Sequence, residues 1–106
     1  MGIQTNLRIN LADPAGFSAV QRVASYQYLG ANLSPDTDQS YSLGSGVATL
    51  QFSADGENFT NSAKTLSAST TGTFNVDVRG VHSVRFLNTT ADASADPSAI
   101  ISVYLQ

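Results

Sequence analysis

The chain has 106 residues, 42% of them hydrophobic, which is the length of a single domain with one core, burying roughly 60–65% of its unfolded surface. Five Lys and Arg against eight Asp and Glu leave a net charge of −3, too little positive charge to neutralise a phosphate backbone, so nucleic acid is not an expected partner. There is no cysteine, which excludes disulfides, thiolate metal sites and a thiol nucleophile, and no membrane-length apolar stretch or basic-then-apolar leader, so a protein made soluble in a cytoplasm is expected.

From the N-terminus, Ile3, Thr5, Leu7, Ile9 and Leu11 alternate with Gln4, Asn6, Arg8 and Asn10, a period-two pattern that predicts a strand with one buried face. Asp13-Pro14-Ala15-Gly16 ends it in a turn or loop. Phe17 to Leu29 fits two patterns: Val20, Val23 and Ala24 at helical spacing, or Val23, Tyr26 and Tyr28 in a strand with a bend. The strand is the reading adopted. Asn32 to Ser40, with Pro35, Asp36 and Asp38, reads as a loop, followed by a short strand at Tyr41 and Leu43 that Gly44-Ser45-Gly46 closes.

The second half is more regular. Ala48, Leu50 and Phe52 alternate with Thr49, Gln51 and Ser53 and run into Asp55-Gly56, a strong turn signal. Lys64 to Ser69 is a weak strand. Phe74, Val76 and Val78 alternate with Thr73, Asn75 and Asp77 before Arg79-Gly80 turns the chain into a strand around Val84 and Phe86. Asn88 to Pro97 reads as an exposed loop, and Ile101, Val103 and Leu105 face inward along a closing strand. Seven or eight short strands without a helix predict an all-β fold, one β-sandwich over residues 1–106 with jelly-roll or related Greek-key connections. Its expected core is Leu7, Ile9, Leu50, Phe52, Phe74, Val76, Val84, Phe86, Ile101 and Val103.

No catalytic, cofactor or metal site is expected. His82 is the single histidine and has no partner pattern for a base or a ligand set, so it reads as a turn histidine. The acid pairs Asp36 and Asp38, Asp55 and Glu57, and Asp92 and Asp96 offer hard oxygen ligands for calcium, but none completes a loop motif. Asp and Asn also bond local amides in ordinary turns. Serine is abundant without a Gly-x-Ser-x-Gly elbow. Tyr26, Tyr28, Tyr41 and Tyr104 suit a sugar platform or an interface anchor as well as a partly buried strand position.

Leu50 to Thr60, with Ser53-Ala54-Asp55-Gly56-Glu57-Asn58-Phe59, followed by Gly72 to Phe86, with Gly72-Thr73-Phe74, Arg79-Gly80 and Val84-Arg85-Phe86, resembles a pattern in tailed-bacteriophage virion β-sandwich proteins, over roughly the C-terminal 60 residues. In the structure this resemblance implies, Asp55-Gly56 makes a hairpin turn, Phe59 covers the sandwich end and Gly80 reverses the chain so that Val76 and Val78 pair with Val84 and Phe86. Arg85 points outward or to an edge. Phe59 stands where many such proteins carry tryptophan, which weighs against sugar stacking. The function implied is that of a virion structural protein, of the capsid decoration or cement type, on the capsid exterior. Its partners would be the major capsid protein and copies of itself, with a trimer favoured. A tail or fibre carbohydrate-binding module, or a tail or neck component, is the alternative. Ile3, Leu7, Ile9, Tyr26, Tyr28 and Tyr41 are the interface candidates, with the N-terminal strand as an intersubunit element.

Overall fold

The computed structural model describes residues 2–10, 16–35, 46–67, 74–90 and 99–106. Among them are eight strands: β1 (Ile3–Ile9), β2 (Gln21–Arg22), β3 (Tyr28–Pro35), β4 (Val47–Ser53), β5 (Thr60–Ser67), β6 (Phe74–Asp77), β7 (Ser83–Thr90) and β8 (Ala99–Leu105). They form two four-stranded antiparallel sheets, ordered β1-β8-β3-β6 and β2-β7-β4-β5. Every connection between consecutive strands changes sheet except the β4–β5 hairpin, which is the connectivity of an eight-stranded jelly roll.

The period-two rows meet between the sheets. Leu7 and Ile9 of β1, Leu29, Ala31 and Leu33 of β3, and Ala99, Ile101, Val103 and Leu105 of β8 face Ala48 and Leu50 of β4 and Val84 and Phe86 of β7, all buried. Of the ten expected core residues, eight are buried and Phe52 is half-buried against the cluster. The side chain of Phe74 lies outside the described residues.

Three expectations about the fold are corrected. Val76 and Val78 do not pair with Val84 and Phe86: β6 lies beside β3 in one sheet and β7 between β2 and β4 in the other. The turn at Arg79-Gly80 is a crossover, in which the Val78 amide bonds Gln27 O on the first sheet and the His82 amide bonds Ser53 O on the second. Alternation marks one buried face per strand, and two strands facing each other across a sandwich satisfy it as well as two strands side by side. Gly80 still supplies the turn's positive φ, at 83°.

Asn32 to Pro35 is strand, not loop, because Leu33 continues the inward row of Leu29 and Ala31 and pairs with Ile101, while Pro35, which lacks a donor, ends β3. Asn88 to Thr90 likewise belongs to β7. The Asn88 amide bonds Gly16 O at 2.8 Å and Thr89 Oγ1 meets Thr49 Oγ1 at 2.8 Å, so these polar residues find partners inside the sheet. The stretch from Phe17 to Leu29 is strand in two pieces. Phe17 bridges Leu87 and Gln21–Arg22 pairs with Val84 and Ser83. Then a turn, closed by the Tyr26 amide on Val23 O, carries the chain to β3. Between the pieces the ladder skips at Ala19 and Val20, and the Ser18 hydroxyl substitutes for a missing carbonyl by accepting the Phe86 amide at 2.8 Å. The expected strand at Tyr41 and Leu43, Leu11, the Asp13-Pro14-Ala15 turn and residues 91–97 lie outside the described residues.

Phe86 is fully buried at the centre of β7. Phe86→Ala is therefore expected to cost about 3–5 kcal/mol in urea unfolding, and a loss well under 1 kcal/mol would place the ring outside the core.

Candidate interaction surfaces

The outer face of the β2-β7-β4-β5 sheet is built by the loop between β4 and β5. Ser53 Oγ accepts the Gly56 amide at 2.8 Å and donates to Asp55 Oδ1 at 2.9 Å. Asp55 Oδ1 also accepts the amides of Glu57 at 2.8 Å and Asn58 at 2.9 Å, and Oδ2 takes Asn58 Nδ2 at 2.8 Å. The Asn58 and Glu57 amides, then the Asn58 and Ser53 side chains, hold this carboxyl well below the usual carboxylate range. That bonding is local turn chemistry, so Asp55 has little left for a cation. Asp36, Asp38, Asp92 and Asp96 lie outside the described residues, and among those described no three potential ligands gather.

The loop folds back over the sheet. Gly56, at φ 85°, lies so close to His82 that an added Cβ would stand 3.0 Å from ring atoms Cε1 and Nδ1. His82 Nδ1 is itself 2.6 Å from Ser83 Oγ, which places the histidine in packing under a turn. Gly56 thus lies against Ser83 and Phe59 against Arg85, beside the buried, outward-facing Gln51 and Ser53, while Thr49, also buried, is bonded to Thr89 farther along β4.

Beside this loop, Arg85 projects outward from β7. Its guanidinium carbon is 3.9 Å from the centroid of the Phe17 ring and 4.2 Å from that of Phe59. Phe17 comes from the β2 side of β7 and Phe59 from the β4–β5 side, so the guanidinium is held between two rings. Nε donates to Gln51 Oε1 at 2.8 Å, and Gln51 Nε2 donates to Asn61 Oδ1 at 2.7 Å. Nε and the flat faces are thus occupied, and the two Nη groups remain for an acceptor. Phe17 is 50% exposed and Val20, on the same sheet edge, 51%. Phe59 therefore covers this outer face, not the sandwich end.

The outer face of the other sheet carries Tyr28 and Tyr104, each 41% exposed, with Tyr104 in register between Gln4 and Gly30. Arg79 lies 5.9 Å from the Tyr28 ring and forks onto Asp77, with Nη2 at 2.6 Å from Oδ2 and Nε at 3.0 Å from Oδ1. The Arg79 side chain and amide lower the Asp77 carboxyl to about 2.

Of the interface candidates, Ile3 and Tyr28 are exposed, Tyr26 is half-buried against the core, and Tyr41 lies outside the described residues. Leu7 and Ile9 are spent on the core. Phe17, Val20 and Gln51 escaped the sequence reading, because no spacing in the chain ties Phe17 to Arg85, 68 positions on.

No protein-family model and no curated protein matches the sequence. Among solved structures, that of the SPBc2 prophage-derived protein YomS aligns at a TM-score of 0.62 and 13% identity, covering 99% of this chain and 94% of that one. What the two share is the fold. A structure of Bacillus endospore appendages, described as disulfide-linked pili, aligns at a TM-score of 0.41 and 18% identity, covering 99% and 88%.

Two outcomes follow from the loops. Gly56 and Gly80 share a φ near 85°, which costs an L-residue about 1–3 kcal/mol. An alanine at Gly80 meets nothing within 4 Å, whereas one at Gly56 meets His82. Gly56→Ala is therefore expected to destabilise more than Gly80→Ala in urea melts, and equal losses would mean that the histidine moves aside freely. Asp55 and Asp77 bind protons less readily folded than unfolded, so the stability they lend is complete above the ordinary carboxylate range near pH 4 and lost as pH falls below it. Asp55→Asn should flatten the acid limb of the urea midpoint between about pH 4 and pH 2, and an unchanged limb would contradict this.

Proposed function

We propose that the chain is a structural component of a tailed-bacteriophage virion that acts by binding other proteins, in its most specific form as a capsid decoration protein. The observation that carries this reading is the jelly roll shared almost end to end with a prophage-derived protein. The Ser53 to Phe59 loop, part of the two segments on which the resemblance to virion proteins rests, adds support, because it is locked by its own hydrogen bonds and helps hold Arg85 at the surface. Attachment would be adhesive: several copies on the capsid exterior, each making modest contacts with the major capsid protein and with one another, are retained by multivalency. This reading gives the protein no catalytic step.

Tyr28 and Tyr104 favour a second reading, a tail or fibre module that stacks a glycan on the outer face of the β1-β8-β3-β6 sheet. Labelling virions from the encoding host with gold-conjugated antibody against the chain separates the two. Label over the capsid shell is expected, label confined to tail or fibres together with glycan binding would install the second reading, and absence of the chain from purified virions would overturn both.

A further inference from the structure

We propose that the outer face of the β2-β7-β4-β5 sheet is a self-association surface, on which Arg85 of one copy takes the carboxylate of Glu57 of the partner subunit in a two-fold contact. Three described carboxylates compete for the role of acceptor. Asp55 is saturated by its own loop and Asp77 by Arg79. The Glu57 side chain is exposed and takes no hydrogen bond or ion pair. It sits in the loop that packs on His82 and Ser83, two residues before Phe59, whose ring lies on Arg85.

The cation is equally specific. The rings of Phe17 and Phe59 occupy the flanks of Arg85 and Gln51 occupies Nε, so an incoming planar acceptor meets the two Nη groups. Around them Phe17 and Val20 leave apolar area in water. A cation between aromatic rings with an apolar margin has the make-up of a protein-contact anchor, which distinguishes Arg85 from the exposed Arg22 of β2 and Lys64 of β5 on the same sheet.

Symmetry completes the case for a second copy. In a two-fold contact a residue i that meets j is repaid by j meeting i, so a surface carrying both an unneutralised cation and an unneutralised carboxylate matches itself. The chain's net charge of −3 repels a second copy approaching at random, and placing each Arg85 against a carboxylate of the other copy overcomes this at one orientation. The inference rests on the reading of the chain as a self-assembling surface protein and gives that assembly a two-fold contact in place of the trimer that the resemblance favours.

The test is sedimentation velocity on the full chain up to about 100 µM, with Arg85→Glu, Glu57→Arg and the double exchange, each checked for folding by circular dichroism. The wild-type chain is expected to associate. Each single variant should weaken association at least tenfold, since it sets like charges against each other. The double exchange should recover most of the loss. A wild-type chain that stays at 11.1 kDa overturns the proposal, as does a folded Glu57→Arg variant that associates normally, or a folded double variant without recovery. Should Arg85→Glu fail to fold, Glu57→Arg alone decides, because Glu57 is exposed and its side chain supports nothing in the fold. A chain found on virions yet monomeric sinks this inference alone, and a chain that pairs through Arg85 and Glu57 yet is absent from virions sinks only the virion reading.

Discussion

The sandwich depends on β8 being held from both sides. All seven residues from Ala99 to Leu105 have partners in β1, from Ile3–Leu105 to Ile9–Ala99, and in β3, from Leu29–Leu105 to Pro35–Ala99. A strand in this position must satisfy two rows of backbone groups while its inward side chains fill the core, so the sheet closes only when residues near the two ends of the described chain meet. This limits what β1 can do for assembly. Lending it to a neighbour would strip one edge of β8 and draw Leu7 and Ile9 out of the core, so β1 can offer a partner its outer edge and Ile3 while the monomer keeps its fold.

A second chain of dependence runs through the β4–β5 loop. The Asp55 carboxylate and Ser53 hydroxyl collect the amides of Gly56, Glu57 and Asn58, and this fixes a path that needs positive φ at Gly56 and brings it down on His82. With the loop seated there, Phe59 reaches Arg85, next to the buried Gln51 and Ser53 of β4. Turn chemistry from Ser53 to Asn58 thus sets the character of a surface: beside the polar Gln51 and Ser53 stands a rigid cation with aromatic flanks.

The parts of this legible in the sequence are those that depend on local periodicity. The inward rows of β1, β4, β7 and β8 were readable because each has one face in a common core, and the Asp55-Gly56 turn because its bonding is local. Partner choice was not. Val76 and Val84 both point into the core, but whether they share a sheet is decided by where the chain crosses between layers, and alternation is blind to that. Asn32 to Pro35 and Asn88 to Thr90 look like loop because polar residues and proline dominate them, and they become strand because β8 and β4 supply partners from distant sequence. The Phe17–Arg85–Phe59 arrangement was half legible: Arg85 follows from its outward place between Val84 and Phe86, whereas Phe17 arrives through an irregular edge ladder that Ser18 patches with its own hydroxyl.

The two outer faces differ in what they can offer a partner. On the β1-β8-β3-β6 face Arg79 forks onto Asp77 beside Tyr28, and a partner finds tyrosine area next to a charge that is already paired. On the other face Arg85 has been ordered before any partner arrives. Immobilising a free arginine side chain costs up to about 1.5–2 kcal/mol of rotamer freedom, and here the two rings and Gln51 have met that cost during folding. Binding energy gained at the Nη groups is therefore not consumed in ordering the side chain, which is the condition under which a single ion pair in a small interface contributes to affinity as well as to orientation. The same rigidity makes the site selective, because an acceptor must approach in the plane that the rings leave open.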